Sequence, residues 1–301
     1  MFRVLVVSAV ALAVSPVPAQ ALLVYQRPAT SEIVAARDDG TQRRVIAYGK
    51  TPIVAPDGKR VAFVTKRGSD YDLKVVTLHD GQVRLLLRNI LPGDPAHAFA
   101  WSPDGRSIAI GSAIEFREAL VDVDKRTHRY LKLGGTPGSA TFSPDSTKVL
   151  FELVHPRDKD LLIARVADGG ARFVDSGGSP TWGAVGFAYR RDPKGILFRK
   201  HAEANPTIAR SRGHAQPRDW SADGDSLLAV GGRAPADRRA LLIDRRTGHT
   251  LFLPQRFTAI EDLSRNGHAV LGEAAGNVVA ARRDGSSKVL ARNATTPSWT
   301  K

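Results

Sequence analysis

The chain has 301 residues, and its 44 Lys and Arg against 30 Asp and Glu give a formal net charge of +14 at neutral pH. At 42% hydrophobic and 25% charged residues, its composition is that of a globular protein and excludes disordered and fibrous classes. It has no cysteine. Disulfides, thiolate zinc sites, iron–sulfur clusters and a cysteine nucleophile are therefore excluded.

Residues 1–21 have the pattern of a secretory signal peptide. Arg3 supplies the positive start, residues 4–14 are an apolar run, and Ala19-Gln20-Ala21 places small residues where signal peptidase cleaves. An apolar helix of that length rises about 16 Å, whereas the hydrocarbon core of a bilayer is ~30 Å thick. A membrane anchor is therefore the weaker interpretation. We expect a single mature domain over residues 22–301, periplasmic or extracellular, with no membrane span.

The mature chain repeats one module. Residues 101–105 read Trp-Ser-Pro-Asp-Gly and are followed by a short apolar run, and residues 142–145 and 220–224 repeat this pattern. The unit near residue 182 lacks the turn sequence, and residues 298–299 open a further copy. The residues that align with the tryptophan of this module are Val54, Trp101, Phe142, Trp182, Trp220, Leu263 and Trp299. Their spacing of about 41 residues is typical of a four-stranded propeller blade.

The turn chemistry predicts strands on both sides of each motif. In Ser-Pro-Asp-Gly, proline presets φ, aspartate bonds its own backbone, and glycine accepts the positive φ that closes a hairpin. A second turn, such as Asp80-Gly81 or Asp284-Gly285, follows later in most units. No stretch shows comparable helical periodicity. The sequence therefore predicts an all-β fold of four-stranded antiparallel blades.

The two ends of the chain supply parts of one blade. Residues 22–25, 32–36 and 43–47 give three strands with no first strand before them, and residues 296–299 give a first strand with nothing after it. Joined in one sheet, they complete a seventh blade and close the ring, which removes open strand edges. The alternative is six blades, with residues 178–216 as irregular padding.

The repeated Trp-Ser-Pro-Asp-Gly-x-x-Ile-Ala pattern resembles the TolB-type propeller repeat of bacterial exported proteins. The resemblance is clear in the units near Trp101, Phe142 and Trp220 and covers nearly all of the mature chain. It implies either a non-catalytic interaction propeller or the propeller domain of a peptidase or lyase. TolB has a separate α/β domain before its propeller, for which this chain has no room. We therefore expect a relative of TolB rather than TolB itself.

Most motif residues have a structural explanation. The aromatic or aliphatic residue of each module is expected to pack between adjacent blades, and the Pro-Asp-Gly segments are expected to be turns only. No stretch has the ligand spacing of a calcium loop.

The candidate binding residues lie on the loops that join the second and third strands of a blade, or one blade to the next. Such loops carry function in propellers. Basic residues outnumber acidic ones there, and two explanations stay open: a rim that binds an anionic partner through Arg, or a basic surface that is merely solvated. The partner in the first case is an envelope protein or an anionic polymer, and nucleic acid is not expected. The candidate ligand-binding residues are Arg88, His97, Arg117, His155, Arg157, Arg212, His214 and Arg218.

Catalysis finds little support in the sequence. The eight histidines are scattered without metal-ligand spacing, and no Gly-x-Ser-x-Gly nucleophile motif occurs. We expect a monomer with no catalytic residue, no metal and no cofactor. The alternative is a metal-assisted lyase or hydrolase that acts on an anionic polysaccharide. It requires two of His97, His155 and His214, or a carboxylate pair, to meet in the channel mouth.

Overall fold

The computed structural model describes residues 22–90, 99–112, 117–210, 215–231 and 238–300. The predicted signal peptide lies outside these residues, and so do the candidate binding residues His97, Arg212 and His214. Regular secondary structure in the described residues is β-strand. Within them, no helix is long and apolar enough to cross a membrane.

The chain forms a seven-bladed β-propeller of four-stranded antiparallel blades, as the sequence predicts. Blades 1 and 2 are joined by one bridge between Ile90 and Ser112. Blade 1 contains β4 (Lys50–Val54), β5 (Arg60–Arg67), β6 (Asp70–Thr77) and β7 (Val83–Ile90). Blade 2 contains β8 (Phe99–Trp101), β9 (Ser107–Ser112), β10 (Arg117–Asp122) and β11 (Thr127–Leu131). Blade 3 contains β12 (Thr136–Phe142), β13 (Lys148–Val154), β14 (Lys159–Arg165) and β15 (Ala171–Ser176).

The remaining blades follow the same order from the innermost to the outermost strand. Blade 7 takes its innermost strand from the C-terminal end of the chain. Blade 4 contains β16 (Gly178–Gly183), β17 (Gly186–Arg191), β18 (Gly195–Arg199) and β19 (Thr207–Arg210), and blade 5 contains β20 (Gln216–Trp220), β21 (Ser226–Gly231), β22 (Arg239–Asp244) and β23 (Thr250–Arg256). Blade 6 contains β24 (Ala259–Leu263), β25 (Ala269–Ala274), β26 (Asn277–Arg282) and β27 (Ser287–Arg292). Blade 7 contains β28 (Thr295–Trp299), β1 (Leu22–Arg27), β2 (Glu32–Arg37) and β3 (Arg44–Tyr48).

Ring closure occurs where predicted. Strand β28 pairs antiparallel with β1, which places Trp299 opposite Leu23 and Ser298 opposite Val24. The Leu22 nitrogen also donates to Thr300 Oγ1 at 2.8 Å. The six-blade alternative is wrong, because the segment proposed as padding supplies the whole of blade 4 between its first strand β16 and its last strand β19.

The Ser-Pro-Asp-Gly turns close by the chemistry that the sequence indicates. Ser102 Oγ donates to Asp104 Oδ1 at 2.6 Å, the same carboxylate oxygen accepts the Arg106 N–H, and Gly105 takes a φ of 68°. Blades 3 and 5 repeat the arrangement, in which hydrogen bonds from the serine hydroxyl and then from backbone N–H groups lower the pKa of Asp145 and of Asp223. Each turn therefore fixes the register of the first two strands.

The repeated aromatic position packs against the preceding blade. Trp220 is 4% exposed and lies in a core cluster with Ala188 and Ile196 of blade 4. Trp101 lies in a cluster with Ala55 and other residues of blade 1. These contacts confirm the prediction that the repeated aromatic residues pack between adjacent blades.

Alternation of strand direction gives the propeller two different ends. We call the end with the Pro-Asp-Gly turns and the turns between third and fourth strands the hairpin face. We call the opposite end, with the turns between second and third strands and the blade-to-blade links, the loop face. The strands are antiparallel throughout, so every strand runs from one face to the other.

Candidate binding face and central channel

Two of the predicted binding arginines are exposed on the loop face. Arg88 lies near the end of β7, and Arg157 lies in the turn between β13 and β14. Neither forms an ion pair with another described residue. Arg117, at the start of β10, is half-buried. Because these three residues belong to blades 1, 2 and 3, the structure distributes them around the rim.

His155 is packed into blade 3. Its Nε2 lies 3.3 Å from Asp160 Oδ2, and its ring closes over Gly135, where a Cβ atom would approach the ring carbon Cε1 to 2.9 Å. Ser176 Oγ donates to the other oxygen of Asp160 at 3.2 Å. In the part of the chain that the structure describes, no group of three or more His, Asp or Glu side chains could hold a metal ion. The contacts of His155 are therefore those of a residue paired with a carboxylate.

Arg218 lies in the channel rather than on a rim loop. The sequence places it in a loop, but it belongs to β20, the innermost strand of blade 5. Its Nε donates to the Ile260 carbonyl oxygen at 2.9 Å, and its Nη2 lies 3.7 Å from Glu261 Oε2. Arg218 therefore ties blade 5 to blade 6, because long-range strand pairing draws residues 216–220 into the sheet.

The loop face carries exposed cations that lack ion pairs within the described residues. They come from six blades and lie at strand ends or in the turns and links of that face. Among exposed loop-face carboxylates in the described ranges, Asp158 is the one that forms no ion pair. The exposed cations are Lys50, Lys66, Arg88, Lys132, Arg157, Lys194, Arg239, Arg256 and Arg292.

The hairpin face carries exposed charges of both signs. Some of its arginines bind backbone carbonyls of neighbouring blades, as Arg60 does at Gly105 (2.6 Å) and Arg129 at Ala167 (2.9 Å). Many exposed aspartates there also form no ion pair with described residues: Asp38, Asp39, Asp104, Asp145, Asp223, Asp244 and Asp284. Among the described residues, the excess of unpaired positive charge over unpaired negative charge is therefore greater on the loop face.

A buried ionic cluster joins blades 3 and 4. The Asp175 carboxylate accepts hydrogen bonds from Tyr189 Oη at 2.6 Å, from Arg199 at 2.7 Å and from Arg191 at 2.8 Å. Burial alone would raise the pKa of Asp175, but the hydrogen bonds from Tyr189 and Arg199 lower it. Burial, followed by the bond to Asp175, raises the pKa of Tyr189 to about 12. Since its charged groups are paired, this cluster stabilises the blade interface.

The channel contains a cavity at the junction of blades 6, 7 and 1. It has a volume of about 90 Å³, opens to solvent, and is lined by β4, β24 and β28. Each of these innermost strands has a bulge in its pairing. The residues that line the cavity are Thr51, Pro52, Ile53, Glu261, Asp262, Thr296, Pro297 and Ser298.

Sequence reasoning missed this cavity, although a signal for it is present. A hydroxyl or amide residue precedes proline in five innermost strands, at Thr51, Thr136, Ser179, Gln216 and Thr296. In three of these strands the residue before proline has a positive φ, between 46° and 52°. The pairing of these three strands is irregular at the same positions, which only the structure shows.

The channel carboxylates already have partners. Asp262 Oδ2 accepts the Trp299 N–H at 2.9 Å, and Glu261 lies beside Arg218. Glu261 and Asp262 are adjacent in β24, and both line this cavity. Their contacts are those of groups that connect neighbouring blades.

Several solved structures share this fold at low sequence identity. The chain superposes on TolB from Acinetobacter baumannii with a TM-score of 0.58 and 15% identity, covering 93% of this chain and 66% of that chain. The fold is TolB-like. An oligogalacturonate lyase in complex with manganese gives a TM-score of 0.64 and 13% identity over 89% of this chain and 83% of that one.

A peptidase contains a similar propeller. A puromycin-hydrolyzing peptidase of Mycobacterium tuberculosis gives a TM-score of 0.68 and 20% identity over 92% of this chain. This chain spans only 52% of that peptidase's length. The sequence matches no protein-family model and no curated protein. At these identities the likeness establishes the fold, which binding propellers and enzymes share.

Proposed function

We propose that this protein is an exported, non-catalytic propeller that binds an extended anionic polymer of the bacterial envelope through its loop face. The observation that carries the proposal is the set of nine exposed loop-face cations without ion pairs among the described residues. A cleft or face with charge of one sign raises the local concentration of oppositely charged ligands.

The distribution of these cations favours a long ligand. They occupy six of the seven blades, so a single small anion would meet only two or three of them. A polymer with repeated carboxylates or phosphates would contact many at once, and linked contacts raise overall affinity without any one strong site. Arginine at five of these positions also offers paired N–H donors to each acidic group.

A matched pair of variants tests the proposal. In the loop-face variant Lys66, Arg88, Arg157 and Arg256 become Gln; in the hairpin-face control the same change is made at four exposed cations, Lys59, Arg106, Lys148 and Arg282. Both variants lose the same net charge. Binding of polygalacturonate, measured by fluorescence anisotropy of a labelled polymer, should weaken at least about tenfold in the loop-face variant only. Equal weakening in both variants would mean that net charge alone attracts the polymer.

Enzymatic action on such a polymer is the second candidate, because the channel holds the carboxylate pair Glu261 and Asp262. One of the solved structures with this fold is an oligogalacturonate lyase. The same samples decide between the two functions. A binding protein leaves the chain length of polygalacturonate unchanged after prolonged incubation, with or without added manganese, whereas a lyase shortens it.

A further inference from the structure

Two arginines lie opposite each other at the loop-face end of blade 5. Arg239 is the first residue of β22 and Arg256 is the last residue of β23, and the two are partners across these antiparallel strands. Residues directly opposite in an antiparallel pair have Cβ atoms about 4.5–5.5 Å apart, and like charges there repel each other. Both side chains are exposed, and neither forms an ion pair with another described residue. Blade 5 therefore holds two positive charges close together.

The repeat does not require two basic residues at this position. In blade 6 the corresponding partners are Asn277 and Arg292. In blade 7 they are Glu32 and Tyr48, and Glu32 also forms an ion pair with Arg27 at 3.1 Å. The opposed arginines are therefore a feature of blade 5 rather than of the repeated module.

The hairpin face shows how the chain neutralises a similar pair. Lys148 and Arg165 are exposed partners at the hairpin-face ends of β13 and β14. There the Arg165 guanidinium donates to the Asp168 carboxylate from Nε at 2.9 Å and from Nη2 at 2.7 Å. Among the strand partners in the described residues, only these two pairs set one basic residue opposite another. The pair in blade 5 is the one without such a carboxylate in the described part of the chain.

The backbone beside the blade 5 pair is fixed by hydrogen bonds. Arg238, the residue before β22, donates from Nη1 to the Thr258 carbonyl oxygen at 3.1 Å. The Thr258 N–H donates in turn to the Glu273 carbonyl oxygen of blade 6 at 2.7 Å. The strand ends that carry the two arginines are therefore ordered without a ligand, which lowers the entropic cost of binding one.

We propose that Arg239 and Arg256 together bind the phosphate group of a phosphomonoester. Such a group has a charge of about −1.5 to −2 at neutral pH and three acceptor oxygens. It can therefore balance both guanidinium groups, each of which presents paired N–H donors. A carboxylate carries one negative charge and would balance only one of them. This pair is part of the proposed polymer-binding face, so the assignment of a phosphate group of the polymer to it rests on that proposed function.

Two probes of similar size, phenyl phosphate and benzoate, test the ligand chemistry. Each is titrated into the purified protein at neutral pH and constant ionic strength, and binding is followed by NMR chemical shifts. The variant R239Q/R256Q removes the pair, and K148Q/R165Q, which loses the same net charge from the hairpin face, is its matched control. Phenyl phosphate should saturate the wild type and the control, with an affinity at least about tenfold higher than that of benzoate. Its binding to R239Q/R256Q should be at least about tenfold weaker than to the wild type.

Thermal unfolding gives a second readout. A ligand that binds only the folded state raises the melting temperature. Phenyl phosphate should therefore raise it for the wild type and for K148Q/R165Q but not for R239Q/R256Q. Without ligand, R239Q/R256Q should melt at or above the wild-type temperature, because the substitutions remove the repulsion between like charges. A lower melting temperature would contradict the repulsion on which the assignment depends.

The proposal is overturned if phenyl phosphate fails to saturate the wild type or if benzoate binds as tightly. It is also overturned if R239Q/R256Q binds phenyl phosphate as well as the wild type does, or if both variants lose binding equally. Polymer binding is judged separately. Polygalacturonate that binds while phenyl phosphate does not would contradict the phosphate site alone, and the converse result would support the phosphate site and contradict polymer binding.

Discussion

Asp219 of blade 5 accepts the backbone N–H of Leu263 in blade 6, with 2.8 Å between its Oδ2 and the Leu263 nitrogen. The relationship recurs between other neighbouring blades: a side chain just before the repeated aromatic position accepts the N–H at that position in the next blade. The further pairs are Asp262 with Trp299, Ser298 with Val54 and Thr141 with Trp182. Together they form part of a belt of hydrogen bonds around the channel.

Breaking one link of this belt should destabilise the fold. Asp219 is 8% exposed, so Asp219→Ala leaves the Leu263 N–H buried without its acceptor, at a cost of about 1–3 kcal/mol. Asp219→Asn retains an oxygen acceptor and should cost less. Urea unfolding followed by tryptophan fluorescence measures both. Asp158→Ala on the exposed rim is the control, and a control as unstable as Asp219→Ala would show that the belt has no special role.

Trp220→Ala should destabilise the protein by roughly 3–5 kcal/mol, as expected for truncation of a buried aromatic side chain. The substitution removes the contact with Phe198, at 5.9 Å between ring centroids, and the hydrogen bond from Trp220 Nε1 to the Thr181 carbonyl at 3.1 Å. Phe173→Ala, at a side chain 57% exposed, is the comparison and should change the free energy of unfolding little. An unchanged melting temperature for Trp220→Ala would contradict the packing described here.

Removal of residues 296–301 takes away most of β28 and leaves β1 without its inner neighbour. The exposed edge of blade 7 should then pair with other molecules, because open strand edges promote association. Size-exclusion chromatography should show aggregates. Removal of residues 300–301 alone keeps β28 and should leave the elution volume unchanged. A well-folded monomer after the longer deletion would argue against ring closure by this strand.

Glu118 should make stability depend on pH. It is 1% exposed, neither carboxylate oxygen has a hydrogen bond to another described residue, and burial raises its pKa well above its usual value of 4.5. Above pH 4.5 the unfolded chain therefore binds fewer protons at this group than the folded protein does, and stability falls as pH rises towards the folded pKa.

The variant Glu118→Gln removes this titration while keeping the shape of the side chain. At neutral pH it should be more stable than the wild type, and its free energy of unfolding should vary less with pH between about 5 and 8. Urea unfolding at several pH values measures the difference. The same pH slope in both proteins would show that Glu118 ionises normally in the folded state.

Polymer binding at the loop face should weaken steeply with salt. The exposed cations form no ion pairs among the described residues, so added salt screens their attraction to the polymer directly, with a Debye length of about 8 Å at physiological ionic strength. Between 50 mM and 300 mM NaCl the Debye length falls from about 14 Å to about 6 Å. Over this range the affinity for polygalacturonate should fall more for the wild type than for the loop-face variant. An affinity independent of salt would exclude the electrostatic mechanism.

The sequence by itself determined the architecture, because the turns that define each blade are local. Ser102, Asp104 and Gly105 close their hairpin with their own side chains and backbone, so the motif predicts the turn wherever it occurs. The spacing of the motifs then predicts blade size. Even the unit without the motif, near Trp182, forms a blade, since Gly183 and Gly186 pair across a short turn and the following strands are apolar.

Tertiary structure decided which side chains meet in the channel. Val54 and Ser298 are 244 positions apart in the chain and become hydrogen-bonded partners only when the ring closes. The same closure brings Thr51 and Thr296 into one cavity. The prediction that Arg218 lies in a loop was wrong, because strand β20 extends further than the local sequence indicates. The turns depend on residues that are neighbours in the sequence, and a short segment therefore predicts them. The channel depends on contacts between blades, which no short segment of sequence contains.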